Sequence, residues 1–168
     1  MKLKSFITGT DIFIPTDIVL VPPKKKVTLS VMVEILQGIF DYVDKQILKS
    51  FDEEVVNNES FEASGRVRLL GKDIEGDDLV HEIKTRNIFK DFPLLLGLEF
   101  AKQLAEAGRI ERNTAIIICV STRQKIHGLM LALFVYRDVA DKLGLVIGTV
   151  PSRGDRHPRW NSVVCENK

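Results

Sequence analysis

The seven residues Thr114-Ala-Ile-Ile-Ile-Cys-Val120 constrain the fold more than any other stretch. They are apolar without alternation, the pattern of a strand covered on both faces rather than one lying at a surface. The run stops at Ser121-Thr-Arg-Gln124, and a helical pattern is expected from about Arg123 to Leu143, closed by Gly144. Leu145-Val-Ile-Gly-Thr-Val150 then reads as a second strand, ended by Pro151. Strand, helix and strand in that order predict a βαβ unit with parallel strands joined right-handedly.

The rest of the chain supplies the other layers. Ile12-Phe-Ile14 and Asp17-Ile-Val-Leu-Val21 are β-rich, with Pro15 marking an edge or a break. Leu29, Met32, Val33, Leu36, Phe40, Val43 and Ile47 recur at threes and fours and predict one helix from about Val27 to Phe51, with Gly38 inside it. Arg66–Leu70 and Leu79–Arg86 read as two strands of a hairpin turning near Gly76-Asp77. Phe92–Ala107 is expected to be helical, with Pro93 in its first turn and Gly108 at its end.

The predicted class is α/β, or an α+β-like mixed sheet, in the order β-α-β-β-α-β-α-β. It is expected to form a two-layer sandwich with its helices mainly on one face. Residues 1–151 are expected to form a single domain and residues 152–168 an extended basic tail, since Pro151–Trp160 has no periodicity and carries Arg153, Arg156, His157 and Arg159. A chain of 168 residues with 45% hydrophobic side chains is long and apolar enough to build such a core.

Charge and cysteine usage narrow the partners. A formal net charge of +1 gives no global attraction to nucleic acid or an anionic membrane, so any such site must be a local patch. The richest apolar window, Leu129–Tyr136, is far shorter than a membrane span of roughly 20 residues. The first ten residues have no apolar core or cleavage site of a signal peptide. Cys119 and Cys165 form no disulfide framework, and a reduced, cytoplasmic setting is expected. A helix from Ile126 to Leu143 would be apolar nearly all round. Cover is therefore expected from the tail or from a second subunit burying Leu131, Phe134 or Val135; a homo-oligomer is the expectation, and an oligomeric structural or interaction protein without a small-molecule site is an alternative function.

Three constellations carry possible chemistry. Ser121-Thr-Arg-Gln124 lies at the carboxyl end of the central strand, where open α/β sheets bind ligands. A helix beginning there would offer free N–H groups and a positive dipole end to a small anion. Ser121 and Thr122 would line the site, with Arg123 as the clamp and Lys125 as a supporting charge. His127, just beyond, is the candidate acid or base. The same four residues also read as a capping box, which needs no ligand. Nothing in the sequence names a cofactor.

The second constellation is Asp73, Glu82 and Lys84. An acidic residue, a hairpin and then Glu-x-Lys resembles the signature of the PD-(D/E)XK nucleases, a likeness that implies a divalent cation on two carboxylates with a lysine beside the attacked phosphate. Strand alternation works against it. Leu79, His81, Ile83 and Thr85 form the more apolar set, leaving Glu82 and Lys84 on the other face, while Asp73 keeps the parity of Val67 and Leu69. A one-residue bulge near Gly71 would reverse that parity. The third constellation, the arginines around Trp160, reads as a phosphate and base grip, as a solvated tail or as a strap onto a neighbouring subunit.

In length and element order the chain also resembles the formaldehyde-activating enzymes, through Phe100–Val120 with its Ala105-Glu-Ala-Gly-Arg-Ile110. That likeness implies a βαββαβα topology. The family's first strand holds a histidine, and Ile14-Pro-Thr-Asp17 has none.

Overall fold

The computed structural model describes residues 13–59, 61, 65–73, 93–126, 129–150 and 161–167. Their elements run in the order β1 (Phe13–Leu20), α1 (Leu29–Gln37), β2 (Tyr42–Val43), α2 (Gln46–Ser50), α3 (Glu53–Asn57), β3 (Gly65–Asp73), α4 (Leu94–Glu106), β4 (Thr114–Ile126), β5 (Leu129–Arg137), β6 (Leu143–Val150) and β7 (Asn161–Asn167). The strands make one mixed sheet ordered β1-β3-β7-β4-β5-β6-β2. β7 runs parallel to β4 and β2 parallel to β6, and the other neighbours are antiparallel. The α/β class and the mixed sheet are therefore present.

The βαβ unit is not. Of the helix expected from Ile126 to Leu143, Leu129–Arg137 is instead β5, followed by a turn into β6, so β4, β5 and β6 are a meander of antiparallel strands. Within β5, Leu131–Val135 is apolar at every position because it lies inside the sheet with both faces covered. On β5, Leu131, Leu133 and Val135 are buried on one side and Ala132 and Phe134 on the other. A strand buried on both faces has no period of two to betray it. The residues expected to need a second subunit, Leu131, Phe134 and Val135, are thus buried within the chain itself. The βαββαβα topology implied by the enzyme likeness is likewise replaced by this meander.

The helix expected from Val27 to Phe51 is cut into α1, β2 and α2. Thr28 caps α1, its side chain accepting from the Val31 N–H at 3.4 Å, and Gly38 ends it by donating to the Ile35 carbonyl. Beyond Gly38, two carboxylates draw the chain onto the edge of β6. Asp41 accepts from the Leu143 N–H at 2.8 Å and Asp44 from the Ile147 N–H at 3.3 Å, beside the parallel pairs Tyr42–Gly144 and Val43–Leu145. These contacts outweigh the helical periodicity of Phe40, Val43 and Ile47.

α4 occupies the segment expected to be helical. It ends in a Schellman arrangement, in which the Arg109 N–H donates to the Leu104 carbonyl and the Gly108 N–H to that of Ala105, with Gly108 at φ 63°. Its Leu95, Leu98, Phe100, Ala101 and Leu104 join Leu29, Met32 and Leu36 of α1 and Ile116, Ile118, Leu133, Val135 and Leu145 of the sheet in one core. Gln103 fastens α4 to the end of β1. Its amide accepts from the Val21 N–H at 3.1 Å and donates to the Val21 carbonyl at 2.6 Å, as a neighbouring strand would.

Asn161–Asn167, assigned by sequence to the tail, forms β7 between β3 and β4. Pro151–Trp160 lies outside the described residues.

On the sheet face opposite Leu133 and Val135, the Tyr136 ring lies over Gly144 and the Phe134 ring reaches over Gly148. A Cβ on Gly144 would stand 2.1 Å from Tyr136 Cζ, and one on Gly148 3.0 Å from Phe134 Cε2. Gly144→Ala should therefore destabilise the fold by about 1–3 kcal/mol, the usual range for overpacking. Tyr136→Ala in the same chain should recover part of the loss, because the ring is what collides. Urea unfolding of the two single variants and the double variant measures the coupling. Strict additivity would show that the ring does not rest on Gly144.

Candidate functional site

The carboxyl end of β4 departs from a regular ladder. Ser121 pairs with Leu131 and Lys125 with Met130, so β4 advances four residues while β5 advances one. Thr122, Arg123 and Gln124 are extra and have no register partner on β5. Pairing resumes at Lys125 and closes at Ile126–Leu129. Four of the five predicted site residues, Ser121, Thr122, Arg123 and Lys125, therefore fall in or beside one bulge. The fifth, His127, lies outside the described residues.

The reason for expecting a site here has changed. β4 continues through Ser121 to Ile126, so no helix starts at Ser121, and the capping box and the dipole end both go with it. A bulge of this size takes successive peptide groups out of the ladder and re-aims the chain locally. Peptide N–H groups outside a ladder can form a concave anion site without any helix. Arg123 and Lys125 bring two cationic residues to the same short segment.

Asp73 is the last residue of β3. Along the β3–β7 ladder the register jumps from Leu69–Val163 to Asp73–Asn161, four residues against two. That insertion is even, so Asp73 keeps the register parity of Leu69. Glu82 and Lys84 lie outside the described residues. Among the described residues no group of three or more His, Cys, Asp or Glu is placed to hold a metal ion. None of their helices is long and apolar enough to cross a membrane.

The titratable groups with shifted equilibria are explained by architecture. Burial raises the Glu59 carboxyl above its ordinary range, and this outweighs the opposing influence of the Leu94 N–H, Lys26 and the Leu95 N–H. Glu59 accepts from Leu94 N–H at 2.8 Å and so caps the start of α4, where the helix dipole favours an anion. Lys26 donates to the Glu59 carbonyl and stands 5.7 Å from the centre of the Phe61 ring. Burial also raises the Tyr136 hydroxyl, with Asp138, Tyr42 and Asp41 adding to the effect. Glu99, 5% exposed, is met by Lys102 at 3.2 Å and by the Gln103 amide at 3.3 Å.

Sequence reasoning passed over Asp41, Asp44, Glu59 and Gln103. Each holds a backbone group distant in sequence, and no local spacing marks such a partner. No protein-family model matches the chain, and no curated protein or solved structure matches it.

The Glu59 assignment has a pH signature. A carboxyl whose folded pKa is raised binds its proton more tightly in the folded state. Its contribution to stability is fully present below the ordinary carboxylate pKa of 4.5 and is lost as pH rises through the raised value. Glu59→Gln keeps an acceptor for Leu94 N–H and removes the titration. Melting temperatures followed from pH 4 upward should fall less steeply in this variant than in the parent chain. Parallel curves would show that Glu59 does not carry this part of the dependence.

Proposed function

We propose that the protein binds a small anion, phosphorylated or nucleotide-like, at the bulged end of β4. The supporting observation is the three-residue bulge at Thr122–Gln124, in a segment that carries Arg123 and Lys125. In this reading Arg123 is the anion clamp, Lys125 adds charge, and Ser121 and Thr122 offer hydroxyl and peptide donors. His127, adjacent in sequence, is the residue to act as acid or base where chemistry follows binding. The scaffold we propose is a two-layer domain with its helices on one face of the sheet, so that the end of the β4–β5 hairpin is left for the ligand. A cytoplasmic setting supplies phosphorylated metabolites of this class.

Thermal-shift measurements with inorganic phosphate, pyrophosphate and a nucleotide panel test the proposal. At least one should stabilise the chain, and Arg123→Ala should weaken it by roughly tenfold to a hundredfold, since a charge-assisted hydrogen bond contributes about 1.5–3 kcal/mol. Stabilisation that survives unchanged in both Arg123→Ala and Lys125→Ala would place the anion elsewhere. No stabilisation by any of these ligands would remove the proposal.

A further inference from the structure

The sheet order brings the chain's two cysteines onto neighbouring strands. β4 carries Cys119 and β7 carries Cys165, and the strands run parallel with Ile116 level with Val163 and Ile117 level with Val164. Cys165 follows Val164 directly on β7, and Cys119 lies two residues past Ile117 on β4. The β4–β5 ladder adds a second observation. Ile117 pairs with Phe134 and Cys119 with Leu133, so Ile118 is an extra residue and β4 is bulged at this point. Ile118 and Leu133 both belong to the core beneath the helices. Cys119 shares the register of Leu133, and Cys165 lies two residues past Val163, the register partner of the core residue Ile116. Both cysteines therefore hold register positions on the helix-covered face.

Adjacent strands lie about 4.8 Å apart, and one residue of offset adds about 3.3 Å along them. The two Cα atoms are then separated by roughly 6 Å, within the window of about 4.4–6.8 Å that a disulfide spans. In a regular parallel pair a one-residue offset would set the two positions on opposite faces. The bulge at Ile118 removes that obstacle.

We infer that Cys119 and Cys165 form a reversible thiol pair that, when oxidised, staples the last strand into the sheet. The oxidant is a small-molecule disulfide. One cysteine, as thiolate, attacks a sulfur of the reagent; a protein–reagent S–S bond forms as the reagent's own S–S bond breaks, releasing one small thiolate. The second cysteine, as thiolate, attacks the protein-side sulfur, closing the Cys119–Cys165 bond and releasing the second small thiolate. The cysteines are oxidised, the reagent gains two electrons, and the two cysteine protons end on the released thiols.

The test uses the full chain, reduced, freed of reductant and exposed at low protein concentration to excess oxidised glutathione. After alkylation and tryptic digestion without reductant, mass spectrometry should show Asn113–Arg123 joined to Trp160–Lys168. The joined pair should be absent from Cys119→Ser and Cys165→Ser and should disappear on reduction. The oxidised chain should remain monomeric on a non-reducing gel and melt several degrees above the reduced one, because the link constrains the unfolded state. Two separate glutathione adducts without a link, a link only between two chains, or unreacted thiols would each overturn the inference.

Discussion

The structure depends on excluding water from both faces of its central strands. On β5 five consecutive side chains, Leu131 to Val135, are no more than 3% exposed. Burial of one such side chain contributes roughly 1.5–3 kcal/mol. Burial on both faces also commits the backbone, because its N–H and C=O groups must then be satisfied within the sheet. β4 and β6 meet that demand from either side along nearly the whole length of β5. α1 and α4 close one face. On the other, the glycines of β6 let the Phe134 and Tyr136 rings lie across the strand, an aromatic cover for positions that lack a side chain.

The periphery is held differently, by polar side chains that imitate backbone. Gln103 presents an amide to Val21 as a neighbouring strand would, and Asp41 and Asp44 continue the edge of β6 where β2 supplies only two residues. α2 and α3, five residues each, are far too short to persist as isolated helices. They are fixed by such contacts and by the buried Ile47 and Val56. The Asn57 side chain accepts from the Leu29 N–H at 2.8 Å, and Glu53 bonds to Ser30. Most of these bonds join residues far apart in the chain. They can form only after the core has brought the segments together, so they select the arrangement of the edges rather than drive collapse.

This division explains what could be read from sequence. Thr114–Val120 announced a strand because a run of β-branched residues leaves little else to choose. Leu94–Glu106 announced a helix through its stripe and its terminal glycine. Leu129–Tyr136 misled because an unalternating run of Leu, Met, Ala and Phe fits a buried helix as well as a buried strand. Its length of about eight residues, typical of a strand and short for a helix, was the better guide. Val27–Phe51 misled for the opposite reason. Its periodicity was real, but the anchors that break it, Asp41 and Asp44, act on residues more than a hundred positions away. β7 has one short apolar stretch, Val163-Val-Cys165, and owes its place to its neighbours β3 and β4 rather than to any pattern of its own.

The same ambiguity bears on the candidate site. A segment read as the start of a helix offers an anion a dipole end; read as the end of a strand, it offers nothing unless the ladder is interrupted. The ladder is interrupted there, by three residues in a row. A bulge of one residue, like that at Ile118, serves to adjust twist and parity within the core. A bulge of three stands at the end of the strand, holds Arg123 and is followed at once by Lys125. Its anion binding would rest on side-chain charge and peptide N–H groups together. The charge component weakens as salt rises, since screening acts over about 8 Å at physiological ionic strength. The peptide component of the proposed site would depend less on salt, because it would rest on the register of β4 against β5.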